Sequence, residues 1–383
     1  MKLKTFKFKL EPNKGQRVFL NKNLGCCRFL YNQMLEERED RYKHNNKSKL
    51  KTEKQYKEEF EFLKEADSVS LQQIRIDLKN AYNNHFRKIK QKQKTSLRFK
   101  SKHNSKHSYR TINNNSNIKV RDNYIKVPKL GFVKFAKSRE IIGRIKSITI
   151  SRDVLNNYYI SVLCETEIQE LPKLDTQIGI DLGIKEFCIT SNNEFVSNPK
   201  YLRKSEVKLK KIQRIFSNRV KGSIRKSKQQ KKLFKTHEKI RNQRLDFLHK
   251  LSTKLISENQ VICLEDLQVK NMVKNHCLAK SISDCSWSKF VELLKYKADW
   301  YGRELVKIDK FFPSSKICNH CGNIKKDLTL KDREYHCSLC RTTIDRDYNA
   351  SLNILKEGLR ILKKNCWVDR DSSVNIQTLV CSS

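Results

Sequence analysis

Two pairs of cysteines, Cys318-Asn-His-Cys321 and Cys337-Ser-Leu-Cys340, stand fifteen residues apart in the last quarter of a 383-residue chain. Two residues between cysteines let both thiolates of a pair reach one ion from a tight turn, and two such turns complete a tetrahedral site. The spacing predicts a zinc site made by Cys318, Cys321, Cys337 and Cys340. Four thiolates leave no position open for a substrate, so the expected role is structural. Gly322 suits the turn after the first pair. A knuckle this small cannot build a core of its own, and the metal supplies its stability. His320 and His336 lie beside the cysteines and are read as bystanders.

The chain carries 82 Lys and Arg against 41 Asp and Glu, a formal net charge of +41. Self-repulsion of that size calls for an anionic partner. A long polyphosphate fits best, because counterion release rewards many cationic contacts at once. A bilayer is the rival sink, but no run of about 18 apolar residues is present to span one. Charge alternates with apolar residues from Met1 to Leu10, which a secretory signal does not do. The thirteen cysteines are odd in number and are expected as reduced thiols. Cys164, Cys188 and Cys263 lie in apolar strand-like runs, as small core residues. The expected setting is cytoplasmic or nucleoid-associated, in a bacterial or archaeal cell.

Residues 1–10 read as a strand, followed by a Pro12-Asn13 turn. From about Gly15 to Asn84 the apolar positions, among them Leu20, Leu24, Phe29, Leu30 and Leu35, recur at helical spacing. Arg87 to Arg110 holds ten Lys or Arg and no acid. Phe99 and Tyr109 in that run are candidates to stack on bases. From about Tyr109 to Glu165 the pattern is β, with 147–150 and 158–162 flanking an Asn156-Asn157 turn. The opening strand is expected in this sheet, giving a small β-barrel interrupted by a helical domain. A third unit starts near Gln177. It holds a strand ending at Asp181 and a return strand at 187–190. A basic helical stretch over 201–250 follows, with 18 Lys or Arg against three acids and a joint at Gly222. Strands then end at Glu265 and Asp309, and a helix opens at Asp347. Residues 363–383 are expected as a loose tail.

Three carboxylates occupy similar settings in that unit. Asp181 ends Ile-Gly-Ile-Asp, Glu265 ends Val-Ile-Cys-Leu-Glu, and Asp347 opens a helix after the cysteine pairs. The first two are expected at the C-terminal ends of neighbouring parallel strands. Converging carboxylates hold divalent cations that activate water and stabilise the leaving oxygen at a phosphodiester, and hard Mg²⁺ or Mn²⁺ suits oxygen ligands. Each acid also has an ordinary reading as a turn former or cap. Asp266 can stand in for Glu265, and Asp345 competes with Asp347.

Taken together, the chain resembles the TnpB (OrfB) family of insertion-sequence proteins, relatives of the type V CRISPR effectors. Gly25-Cys26-Cys27-Arg28-Phe29-Leu30-Tyr31-Asn32 is similar to the family's N-terminal signature. Gly179-Ile180-Asp181-Leu182-Gly183 and Leu264-Glu265-Asp266-Leu267 are similar to its first two RuvC motifs, and Ser286-Trp287 through Gly302-Arg303 to a helical segment. Ser314-Ser315-Lys316-x-Cys318 leads into its zinc-finger pattern, and Asp345-Arg346-Asp347-x-Asn349-Ala350-x-x-Asn353-Ile354 is similar to its third RuvC motif. The resemblance covers about residues 1–362 and favours Asp347 over Asp345. Two departures are Arg341, where the family usually has Gly, and Ser351, where a residue such as Ala often stands.

The resemblance implies an α+β multidomain chain. A RuvC/RNase H-like α/β nuclease domain (173–312 and 344–362) would carry a zinc-ribbon insertion (313–343). A small β-barrel wedge domain (1–12 and 105–172) would be interrupted by a helical recognition domain (13–104). The implied function is an RNA-guided DNA endonuclease of a mobile element, using Asp181, Glu265 and Asp347 with two Mg²⁺ or Mn²⁺ ions, beside one structural Zn²⁺. Its implied partners are a guide RNA from the element's end and double-stranded target DNA. It would act as a monomer or weak dimer, away from membranes. The alternatives are a non-catalytic DNA- or RNA-binding regulator of transposition, or a transposase that performs strand transfer itself. The tyrosine type of transposase needs a His-hydrophobic-His motif, which none of the nine histidines forms.

Overall fold

The computed structural model describes residues 1–44, 49–102, 107–329 and 332–377, the last thirteen of them as backbone only. Two compact units emerge, Met1–Glu167 and Ile168–Ser383.

In the first unit, β1 (Lys2–Leu10) is followed by helices α1 (Lys14–Lys43), α2 (Glu53–Glu59) and α3 (Ser68–Lys90). Strands β2 (His107–Ile112), β3 (Val120–Arg121), β4 (Tyr124–Val127), β5 (Gly131–Lys134), β6 (Arg144–Arg152) and β7 (Tyr158–Thr166) come next. β1 pairs antiparallel with β7 along its whole length, so the first and last strands close round the inserted helices. The sheet order is β1-β7-β6-β2, and β3-β4-β5 form a second sheet tied to the first at a Leu10–Phe135 bridge.

Alternation within β1 sends Phe6, Phe8 and Leu10 into the core. α1 begins at Asn13, whose side chain accepts from the Gln16 N–H while Gln16 answers to the Asn13 N–H, a capping box. Leu20, Leu24, Leu30, Met34 and Leu35 bury one face of α1 against the same core. Asn23, fully buried, joins the two long helices by accepting from the Asp67 N–H at 2.8 Å, where Asp67 caps α3.

The basic run after α3 divides in character. Lys100 is pinned to α1 by two hydrogen bonds with Asn32, of 2.7 and 3.0 Å, and its ammonium lies 3.9 Å from the Tyr31 ring centre. Phe99 is 52% exposed, as a stacking residue would be. Tyr109 is not available for that role. It is 3% exposed, because β2 alternation turns it and Thr111 into the core.

The second unit is built on a five-stranded sheet. In chain order it runs β8 (Gln177–Leu182), β9 (Glu186–Thr190), β10 (Phe195–Ser197), α4 (Tyr201–Ser217), α5 (Ile224–Glu258) and β11 (Val261–Glu265). Then come α6 (Val269–Met272), α7 (Ala279–Cys285), α8 (Trp287–Tyr301), β12 (Glu304–Ile308), β13 (Glu334–His336), β14 (Thr343–Asp345) and α9 (Arg346–Gln377). The strand order is β10-β9-β8-β11-β12. β8, β9 and β10 are antiparallel neighbours, while β11 is parallel to both β8 and β12. A three-strand meander with two further strands added in parallel beside its first is the RNase H-like arrangement.

Strand alternation distributes the two faces. Ile178, Ile180, Ile262 and Leu264 pack with Leu251 and Leu255 of α5 and Phe290 and Leu294 of α8. Val261, Cys263, Val306 and Ile308 pack on the other face with Ile354, Leu355 and Leu359 of α9. Arg303 at the end of α8 is a buried tie, donating to the carbonyls of Ile256 and Pro172 and to Gln260. With no Pro or Gly after Gly358 to stop it, the α9 backbone runs on to Gln377 instead of ending near 362. Residues 378–383 of the expected tail lie outside the described residues. Among the described residues, no helix is long and apolar enough to cross a membrane.

α9 lies on the sheet at two glycines. A Cβ at Gly179 would stand 2.2 Å from the Ser351 carbonyl oxygen and 2.8 Å from the Leu355 N. One at Gly358 would stand 2.3 Å from the Cys263 sulfur. At Gly179 the obstacle is backbone, which cannot swing aside. Gly179→Ala is therefore expected to lower the stability of the second unit by about 3 kcal/mol. Urea unfolding followed by tryptophan fluorescence checks this, since all three tryptophans, at 287, 300 and 367, lie in that unit.

Candidate active site and metal centre

The same alternation that sorts the core sorts the acids. On β8, Asp181 is two residues beyond Gly179 and shares its side of the sheet, facing α9. On β11, Glu265 is two residues beyond Cys263 and shares that side as well. The register pairs Cys263 with Gly179 and Leu264 with Ile180, so one step further sets Glu265 beside Asp181. α9 supplies the third acid. Asp347, Ala350, Ser351 and Ile354 form one helical stripe whose last three members are buried toward the sheet. Asp347 sits in the first turn of that stripe. The three carboxylates line one cavity of about 400 Å³ together with Gly183, Lys185, Ser314, Arg333 and Arg346.

Two competitors separate from the three. Asp345 accepts from the N–H groups of Asp347 (3.0 Å) and Tyr348 (2.9 Å), which makes it the cap of α9 and leaves the Asp347 side chain unencumbered. Asp266 takes an ion pair with Lys307 at 2.8 Å and does not line the cavity.

Electrostatics in the cavity are strained by design of the backbone. Burial, then the nearby carboxylates of Glu265 and Asp347, push Asp181 up to about 8, against the pull of the Arg346 guanidinium. Burial also raises Glu265, opposed by a hydrogen bond from the Ser314 hydroxyl. A raised carboxyl favours the folded state in its protonated form. For Asp181 that contribution is complete below the unfolded value of about 3.9 and is lost as pH climbs to about 8. Hard oxygen donors that repel one another are a fit for divalent cations.

The cysteine pairs form twin knuckles. Cys318 N–H donates to Asn323 O and Gly322 N–H to Cys318 O; likewise Cys337 N–H donates to Thr342 O and Arg341 N–H to Cys337 O. Each knuckle closes on a left-handed residue, Gly322 at φ 78° and Arg341 at φ 58°. This explains why glycine suits both places, and Arg341 bears the strain where it is missing.

The four sulfurs lie within 4.8 Å of one another, with Cys318–Cys340 at 3.6 Å and Cys321–Cys337 at 3.5 Å. Sulfurs about 2.3 Å from a shared zinc in tetrahedral geometry stand about 3.8 Å apart, so the set can hold one metal ion. The Cys340 backbone N–H holds the Cys337 thiol down to about 6, and Thr342 lowers Cys340. Cys321 goes up to about 12 despite the Asn323 backbone N–H, because burial and the neighbouring sulfurs oppose another charge. His320 and His336 are outside the cluster.

Sequence reading did not assign roles to the groups that join the two centres. Asn353, buried on α9, donates to the carbonyls of Ser314 (2.8 Å) and Ile317 (2.7 Å). Asn349 donates to Ile317 O (2.7 Å) and accepts from the Asn319 N–H (3.0 Å). Ser314 in turn donates to Glu265. The signal was present as paired Asn residues four apart on α9, beside the expected helix start.

Three family models match the chain: a helix-turn-helix domain of the OrfB_IS605 type over residues 1–47, OrfB_IS605, described as "Probable transposase", over 159–276, and a Cas12f1-like TNB domain over 287–354. A Streptomyces pristinaespiralis protein named "Putative RNA-guided DNA endonuclease" is 36% identical over 93% of this chain and 89% of its own length. One from Escherichia coli K12, "Putative RNA-guided DNA endonuclease InsQ", is 29% identical over 94% of each. A solved chain titled "Cryo-EM structure of the Cas12f1-sgRNA-target DNA complex" covers 93% of this chain and 99% of its own at 16% identity and a TM-score of 0.36, a likeness too loose to support an inference. On the strength of a full-length relative at 36% identity and three matching models, the chain belongs to the TnpB (OrfB) family.

Proposed function

We propose that this protein is an RNA-guided DNA endonuclease of a mobile element, cutting by metal-dependent phosphodiester hydrolysis. The observation that carries the reading is the meeting of Asp181, Glu265 and Asp347, from three separate stretches of sequence, in one cavity. Guidance by RNA is supported by the names of the full-length relatives and by a net charge of +41, which suits a chain that holds two polyanions at once.

Asp181, Glu265 and Asp347 would hold two Mg²⁺ or Mn²⁺ ions. When bound, such ions activate a water and stabilise the leaving oxygen. The chain's own residues do the rest. Ser314 fixes the orientation of Glu265. Asp345 takes up the α9 N–H groups so that Asp347 is free to ligate. The Cys318, Cys321, Cys337 and Cys340 set would hold one Zn²⁺ with no open position, a structural site that anchors the start of α9 through Asn349 and Asn353.

Protein purified from cells carrying its element is expected to bring down RNA from the element's end and to cut DNA matching that RNA when Mg²⁺ is supplied. Asp181→Ala should lower the cleavage rate by roughly three orders of magnitude or more and leave the bound RNA in place. Full cleavage by that variant removes Asp181 from the chemistry. RNA retention with no cleavage by the wild type favours a binding regulator, and joining of DNA ends favours a transposase.

A second expectation concerns pH. Since Asp181 keeps its proton up to about 8, cation binding at neutral pH must displace it. Affinity for Mn²⁺ should rise about tenfold per pH unit from 6 to 8 and flatten above. Calorimetry at pH 7 in two buffers of different ionisation enthalpy should report release of about one proton. No proton release at pH 7 contradicts the crowding of the acids.

A further inference from the structure

A second cavity of about 510 Å³ adjoins the carboxylates, and the two share Ile184, Lys185 and Arg333 in their walls. Asn198 fixes the division between them by donating to the Ile184 carbonyl at 2.8 Å. The second cavity holds two acids, and both are already spent. Glu206 is paired with Lys280 and Lys210. Asp284 is paired with Arg244 at 2.6 Å and accepts from the Leu202 N–H. Among the described residues, Lys185, Lys200, Arg203 and Arg333 take part in none of the ion pairs, so the uncompensated charge of this wall is positive.

These cations follow a path. Lys185 and Arg333 stand at the border with the carboxylates, and Lys200 and Arg203, at the start of α4, stand beyond it. A patch of positive charge next to metal-ligating acids does not suit a cation. It suits an anion that passes from one cavity into the other, which a polynucleotide backbone does. Cations spaced along a groove bind successive phosphates and carry no base preference.

We infer that Lys185, Lys200, Arg203 and Arg333 form a phosphate-binding subsite that grips the strand on one side of the scissile bond. The inference rests on the nuclease reading of the neighbouring acids. These four are positioning residues. They hold flanking phosphates, so that the scissile one comes to rest against Asp181, Glu265 and Asp347.

The test separates the subsite from the nuclease reading by measuring binding without cleavage. RNA-loaded, full-length Asp181→Ala protein is titrated with a fluorescent single-stranded DNA 12-mer that does not match the guide, at several salt concentrations. The comparison adds Lys185→Gln, Lys200→Gln, Arg203→Gln and Arg333→Gln together, and Arg203→Gln with Arg333→Gln alone in case the fourfold variant unfolds. Loss of affinity of about tenfold or more, with the slope of log K against log salt reduced by roughly three in the fourfold variant and by about one and a half in the double variant, is the expected result. Unchanged affinity and slope in folded variants overturn the subsite.

On the cleaving wild type, a single neutral methylphosphonate is moved along the cut strand. It should slow cutting when placed within about three nucleotides on one side of the cut, and the same Gln substitutions made with Asp181 intact should be insensitive to it at the same positions. Equal sensitivity on both sides, or in the variants, also overturns the subsite. A wild type that never cuts sinks the nuclease reading and leaves the binding measurement to decide the subsite by itself.

Discussion

Everything in the second unit depends on how closely α9 can approach the sheet. With a hydrogen in place of a side chain at position 179, the Ser351 carbonyl and the Leu355 backbone can sit directly over β8. That contact brings the first turn of α9, and Asp347 with it, over the ends of β8 and β11. The carboxylates then meet because alternation puts Asp181 on the Gly179 side and Glu265 on the Cys263 side. The motif Gly-Ile-Asp is thus one structural device. Its glycine admits the helix and its aspartate faces what the helix carries. Burial under the helix, and then the neighbouring carboxylates, let Asp181 hold its proton to about 8, a cost that a divalent cation relieves.

The cysteine knuckles act on the same contact from the other side. β14 runs directly into α9, and Asn349 and Asn353 bond the helix to the backbone just ahead of Cys318. Asn353 also reaches Ser314, whose hydroxyl bonds Glu265. The knuckle backbone, the helix start and Glu265 are therefore one hydrogen-bonded network, and Asp347 rides on the helix it holds.

Much of this was legible in the sequence. The cysteine spacing, the strand-ending acids and the hairpin at Asn156-Asn157 all rest on local rules, and local rules survive folding. The choice between Asp345 and Asp347 did not follow from local pattern, because either carboxylate can cap a helix; in the structure Asp345 takes the cap, which supports Asp347 as the proposed ligand. Tyr109 is a stacking candidate by its basic neighbourhood, but that says nothing about which way a strand turns its side chains, and β2 turns this one inward. Nor could the sequence show that Arg341 adopts φ 58°. The strain becomes visible only when the two knuckles are compared bond for bond. The roles of Ser314, Asn349 and Asn353 are tertiary, set by partners 30 to 49 residues away.

The central claim is that Asp181, Glu265 and Asp347 form one cation site. Mn²⁺ binding, counted by electron paramagnetic resonance on the zinc-loaded protein, tests it most directly when wild type is compared with Asp181→Asn, Glu265→Gln and Asp347→Asn. If the three acids share the site, each substitution alone removes at least one bound ion or weakens binding by about tenfold or more. A substitution among the three that leaves both number and affinity of bound ions unchanged would show that its carboxylate is not a ligand, and would contradict the claim.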